Sequence, residues 1–155
     1  MAYPQITVDI FNRARDAKKG AEEARGLSRK MMVALSEEFS GEDAESFGVS
    51  LVHSEDGQSA RISSPFGEAR AKSSVFLTDG GLHTRCSFER KLVDTLDRDI
   101  WREVFVLEVR EDGRIFSEFF NEETALFNVL RPRRDQYFTL AIVITAALGR
   151  NPSDQ

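Results

Sequence analysis

The sequence predicts an α+β fold: a long N-terminal helix, a six-stranded, mostly antiparallel sheet built from three hairpins, and a C-terminal helix packed on the sheet. Two observations carry this. Asp-Gly pairs stand at Asp56-Gly57, Asp79-Gly80 and Asp112-Gly113, each between runs rich in Val, Ile, Phe or Thr. Asp-Gly supplies the positive φ that tight reversals need, so each pair marks a hairpin. On either side of this region the apolar residues recur at helical spacing.

The first helix is expected over residues 7–39. Ile10, Ala14, Ala17, Ala21, Ala24, Met31 and Leu35 follow a three-and-four spacing, Thr7 suits the N-cap and Asp9 the first turn. Gly20 and Gly26 interrupt it, each at a cost of about 1 kcal/mol against Ala. A helix of that length spans about 50 Å, more than a domain of this size is wide. It should therefore break near one of the glycines or project and pack on a partner.

The sheet is expected over 46–120. A two-residue turn at Asp56-Gly57 sets Leu51 opposite Ile62, Val49 opposite Ser64 and Phe47 opposite Phe66, with Pro65 marking an edge or a bend. A turn at Asp79-Gly80 pairs Leu77 with Leu82, Val75 with Thr84, Ser73 with Cys86 and Ala71 with Phe88. The other face then carries Phe76 with His83, Ser74 with Arg85, Lys72 with Ser87 and Arg70 with Glu89. Residues 91–99 break the alternation, and Leu92, Val93 and Leu96 suggest a short helical turn. A three-residue loop at Glu111-Asp112-Gly113 sets Val109, Leu107 and Phe105 opposite Ile115, Ser117 and Phe119. Val104, Val106, Phe116 and Phe120 fall on the other face, so these strands should be covered on both sides.

C-terminal helices are expected over 122–149. Asn121 caps a short one from Glu122 to Leu130. After Arg131-Pro132-Arg133-Arg134, a second runs from Asp135 to Leu148 and ends at Gly149. Its apolar residues lie on almost every side, which predicts full burial in a core or a subunit interface. Residues 150–155 are a short tail. The 155 residues make one domain by length, with a core of ordinary size.

Composition narrows function without naming one. The net charge of −5 argues against a sequence-independent nucleic-acid binder. A single cysteine, Cys86, allows neither an intrachain disulfide nor a cysteine zinc cluster. No apolar core follows Met1-Ala2-Tyr3-Pro4, and the longest apolar run, Leu140 to Ile144, is far too short to span a bilayer. A soluble, cytoplasmic, acidic protein with no cofactor, no metal and no membrane contact is expected. In element order and charge alone the chain distantly resembles small acidic secretion chaperones, which are dimeric α/β proteins; no motif carries the likeness.

No catalytic set is legible. His53 and His83 are the only histidines, and the odd separation of His83 and Cys86 puts them on opposite faces. Glu22-Glu23, Glu37-Glu38 and Glu42-Asp43-Glu45 read as solvated helix surface and loop. Gly80-Gly81 is a hairpin turn, not a strand-to-helix phosphate cradle. The Arg131, Arg133, Arg134 cluster reads as a charged helix junction. The sharper candidate is a basic sheet face of Arg61, Arg70, Lys72, Phe76, His83 and Arg85. Cations beside an aromatic group can hold phosphates or stack bases. The leading expectation is a non-enzymatic module that occupies a partner protein's surface, as inhibitors, immunity proteins, anti-defence proteins and chaperones do, with homodimerisation through the helices as a linked expectation. The alternatives are a nucleotide or nucleic-acid module using the basic face, and an enzyme with a site in the sheet's concave face.

Overall fold

The computed structural model describes residues 7–78, 81–117 and 126–150. Helix α1 runs from Val8 to Ser40, followed by a 3-10 turn at Glu45–Phe47. Seven strands follow: β1 Ser50–His53, β2 Ser59–Ser64, β3 Gly67–Thr78, β4 Gly81–Val93, β5 Asp99–Arg110, β6 Arg114–Ser117 and β7 Phe127–Asn128. Helix α2, Arg134–Leu148, closes the fold. The strands form one antiparallel sheet in sequence order, curled into a half-barrel, and both helices pack on the same face.

Helix α1 is continuous; neither glycine breaks it. The Thr7 hydroxyl accepts the Ile10 N–H at 3.2 Å, the capping bond its position implies. The buried stripe, Ala24, Ser28, Met31, Met32, Leu35 and Phe39, lies on the sheet. Polar ties fix the seat. The Ser28 and Ser73 hydroxyls meet at 2.7 Å, the Thr84 hydroxyl donates to the Ala24 carbonyl at 3.4 Å, and the Ser36 hydroxyl donates to the Leu51 carbonyl at 3.0 Å. Gly20 has a packing reason, since the Leu82 side chain fills the place a Cβ would take, whereas Gly26 faces open space.

Two of the expected registers are present where both strands are described: Leu51 opposite Ile62, and Val109 opposite Ile115 with Leu107 opposite Ser117. Leu77 likewise pairs with Leu82 and Ala71 with Phe88, although the Asp79-Gly80 turn itself lies outside the described residues. The first reversal keeps its register with a longer loop. The Ser54 N–H donates to the Ser59 carbonyl, and Gly57 takes φ +72° inside the loop.

Three expectations are corrected. The bend expected at Pro65 is a full reversal: Pro65-Phe66 is the two-residue loop of a further hairpin, with Ser64 opposite Gly67. Phe66 thus leaves the ladder, and Phe47, in the 3-10 turn, stacks on Phe138 at 5.8 Å instead. Residues 91–99 are not a helical turn. Strands β4 and β5 continue to Val93 and Asp99, and the reversal is built on Asp94, whose carboxylate accepts the Leu96 and Arg98 N–H groups. Asp97 supplies the left-handed residue at φ 57° that Gly supplies elsewhere. Within the described part of the expected 122–130 helix, Phe127–Asn128 is instead β7, with Phe127 opposite Ile115, so the sheet has seven strands among the described residues and not six. Asn121, Phe119 and Phe120 lie outside the described residues. Helix α2 turns Tyr137, Leu140, Ala141, Ile144 and Leu148 to the core and leaves Ile142 exposed on the single chain. Its C-terminal carbonyls are held by Arg90, whose Nη1 donates to Leu148 at 3.4 Å and Arg150 at 3.2 Å, a cation at the negative end of the helix dipole.

Two glycines test these placements in opposite directions. Gly26→Ala should stabilise the fold by roughly 0.5–1 kcal/mol, because nothing obstructs the methyl group and the helix gains propensity. Gly113→Ala should destabilise it by about 1–3 kcal/mol, because Gly113 sits at φ +90° against Asn128 and Leu130. Urea unfolding of both variants checks this; a shift of the same sign in both would refute the placements.

Candidate functional site

The outer sheet face is built row by row from the pairing. Arg61, Arg70, Glu89 and Glu103 form one row across β2 to β5. Lys72, Ser87 and Val106 form the next, then Ser74, Arg85, Glu108 and Phe116, then Phe76, His83 and Arg110. All six residues singled out from the sequence, Arg61, Arg70, Lys72, Phe76, His83 and Arg85, therefore share this face. So do three glutamates, and the geometry couples them. Arg70 Nε lies 2.8 Å from Glu89 Oε1, with Lys72 Nζ 3.9 Å from the same oxygen. Arg85 Nη2 and the Ser87 hydroxyl donate to the two oxygens of Glu103, at 2.8 and 2.6 Å. His83 Nδ1 is 2.7 Å from Glu108 Oε1 and its ring meets Phe76 edge-on. Arg61 alone among these cations has no carboxylate within 4 Å among the described residues.

Aromatic rings occupy what the carboxylates leave. The Arg70 guanidinium lies 4.0 Å over the Trp101 ring, and that of Arg110 lies 3.7 Å over Phe116. A shift of register between Phe88 and Glu89 brings Glu103 into this row. The face is a matched charge lattice, not a basic surface. Phosphate binding there would require opening pairs that are already formed.

The other candidates are dispersed. His53 sits half-buried on the helix side, its Nδ1–H donating to the Ser54 carbonyl at 2.8 Å. Cys86 is fully buried among core groups, and desolvation pushes its thiol up to about 12. Burial likewise raises Tyr137 to about 12. The Ser54 hydroxyl and then the Gln58 N–H hold the Asp56 carboxyl below the usual range, a turn contact and not a catalytic one. Among the described residues no group of three or more His, Cys, Asp or Glu side chains could hold a metal ion, and no helix is long and apolar enough to cross a membrane. The arginine cluster caps α2: the Arg133 N–H donates to Gln136 Oε1 at 2.7 Å, while the Gln136 N–H donates back to the Arg133 carbonyl at 3.1 Å.

A second surface emerges on α1. No described side chain of this helix before Ala24 is buried. Val8, Ile10 and Phe11 are 75, 57 and 59% exposed, and Leu77, near the end of the β3–β4 hairpin, is 51% exposed. Ala21 and Ala17 continue the buried stripe of α1 half-buried, with Gly20 against Leu82, and Ala14 and Ile10 carry it on into solvent. Between Arg13 and Lys30 the helix also carries seven cations and only three carboxylates, in a chain of net charge −5. All ten are exposed. The hydrophobic spacing alone did not reveal this; a running count of charge along the helix would have.

Reversing one sheet cation tests the lattice. Arg70→Glu faces Glu89 with a like charge and should cost about 1 kcal/mol; adding Glu89→Arg should recover most of it in urea unfolding. Cys86 gives a pH test. Its folded pKa is raised, so its contribution is fully present below the unfolded value of about 8.5 and is lost as pH climbs toward about 12. The urea midpoint should fall above about pH 8.5, and Cys86→Ala should flatten the first part of that fall. Parallel loss in both proteins would remove the assignment. No family model, no curated protein and no solved structure matches this chain.

Proposed function

We propose that this chain is a non-enzymatic, protein-binding module that works by occupying a partner's surface, the role shared by inhibitors, immunity proteins, anti-defence proteins and chaperones. One observation carries the reading: beyond the part of α1 that Leu82 and the sheet cover, Ile10 stands 57% exposed at the end of the apolar stripe, with Phe11 and Val8 exposed in the same turn. Monomeric proteins seldom leave such groups clustered in water unless a partner covers them. The rigid α1 favours recognition, because a preformed helix loses little conformational freedom on binding.

The proposal has two forms. In one, a second copy covers the strip and the protein is a homodimer through its helices; in the other, a different protein does. Both place the contact on the first turns of α1. The sheet face supports a nucleotide or nucleic-acid ligand less well, since Arg70, Lys72 and Arg85 already have carboxylates within 4 Å and His83 Nδ1 lies 2.7 Å from Glu108.

Ile10→Asp with Phe11→Asp tests the proposal. Both side chains are exposed, so the unfolding free energy should change by no more than about 0.5 kcal/mol. Association should fall at least tenfold, whether read as self-association by sedimentation or as binding to a purified partner reconstituted with the wild-type chain. A complex of undiminished affinity would remove this surface from the reading, as would loss of the fold itself.

A further inference from the structure

We propose that the solvent-facing ridge of α1 is the docking surface for an acidic amphipathic helix of a partner protein. This rests on the protein-binding reading and commits it to one class of occupant. Phe11, Arg15, Lys18, Glu22, Arg25 and Arg29 recur at spacings of four, three, four, three and four. On an α-helix that spacing makes a single ridge, a third of a turn round from the buried stripe. All six side chains are exposed. The ridge holds four cations and one acid over about 21 Å from Arg15 to Arg29 and ends at its N-terminal side in an aromatic ring.

The state of these charges separates the ridge from the sheet face. On the sheet, Arg70, Lys72 and Arg85 have glutamates already in place, and Arg61 does not. On α1, Lys18 and Arg25, with Lys19 and Lys30 beside the ridge, have no carboxylate within 4 Å among the described residues; Arg15 has only its exposed neighbour Asp16 at 3.3 Å, and Arg29 lies against Gly57 of the β1–β2 loop, where its charge acts on Asp56. Matched charges offer a ligand little. Unmatched cations at helical spacing offer a carboxylate-bearing helix of the same repeat a series of partners, with Phe11 and the aliphatic stems of Arg and Lys as its apolar floor.

The geometry also selects among occupants. A second copy would bring two faces of like charge together. A bilayer takes up an apolar helix face, but on this ridge Phe11 is the one apolar side chain and Glu22 stands among the cations. A phosphate backbone makes no use of Phe11 or the flanking aliphatic groups, and Glu22 stands in the middle of the ridge. A protein helix fits both the charge and the apolar end, the recognition mode in which side chains at helical spacing anchor one partner in the other.

The experiment titrates the intact chain with synthetic helical peptides of roughly 20 residues. One carries Leu at positions i, i+4 and i+7 flanked by Glu; the second keeps the Leu stripe with Gln in place of Glu. Phosphatidylglycerol–phosphatidylcholine vesicles and a single-stranded oligothymidylate are run in parallel, with sedimentation of the chain alone. The acidic peptide should bind at about 20 mM salt and weaken at least tenfold by about 300 mM. Arg15→Glu with Lys18→Glu should weaken it at least tenfold while far-UV circular dichroism stays unchanged. Arg70→Glu with Arg85→Glu on the sheet should leave it within about twofold of wild type. If the Gln peptide binds equally well and survives the α1 charge reversals, the inference fails and the protein-binding reading stands. A wild-type dimer that Phe11→Asp dissociates has the same consequence, with a second copy as the occupant. Vesicles or oligothymidylate bound in preference to the peptide overturn both. Absence of peptide binding at low salt overturns the inference, and the reading is then decided by the reconstitution test of the exposed Ile10 and Phe11.

Discussion

The seat of α1 on the small-residue floor of the sheet decides what is inside this protein and what is offered to the outside. Ala60, Ala69 and Ala71 keep the sheet shallow there, and Ser28 meets Ser73 at 2.7 Å while Thr84 reaches the Ala24 carbonyl. Buried hydroxyls that find partners are neutral or better; left unpaired they would cost about 1–3 kcal/mol each. The same ties lock the helix's rotation. Once Ala24, Ser28, Met31 and Leu35 face the sheet, the ridge from Phe11 to Arg29 is turned about a third of a turn aside, exposed along its length and flanked at Arg29 by the β1–β2 loop.

The sheet adds a second sorting of charge. Alternation sends Cys86, Phe88, Leu107 and Val109 inward and Arg85, Ser87 and Glu108 outward. A slip of one residue at any reversal would exchange the two sets, so register is held by burial as well as by turn chemistry. The outward set then solves its own electrostatics: glutamates on β4 and β5 stand beside the arginines and lysine of β3 and β4. The helix surface does not. That difference between two cationic regions of one small acidic protein separates a surface whose charges pair within the fold from the one we propose as a docking surface.

Local signals were legible where a residue type alone sets the backbone. Asp112-Gly113 placed its reversal and register, and Asp56-Gly57 its register, because left-handed conformation at the turn is a property of Gly itself. The Asp94 reversal escaped notice because Asp97, not Gly, takes the left-handed position, held there by strands that arrive from both sides. Pro65 was ambiguous for a related reason: Pro suits a strand's edge and the second position of a turn equally, and only the pairing of β2 with β3 distinguishes them. Strand β7 pairs with β6 across a long connection, a contact that no short window contains.

The sequence alone determined the helix-forming spacing of residues 7–39, the three Asp-Gly sites, the absence of a second cysteine and the six residues of the sheet face. These follow from backbone preference and side-chain periodicity, which act over a few residues. Whether α1 breaks, whether the sheet's arginines are matched by Glu89, Glu103 and Glu108, and which side of α1 is left to solvent were decided only in the tertiary structure. Each depends on segments tens of residues apart being brought within contact distance, and charge has no meaning as a surface until those distances exist.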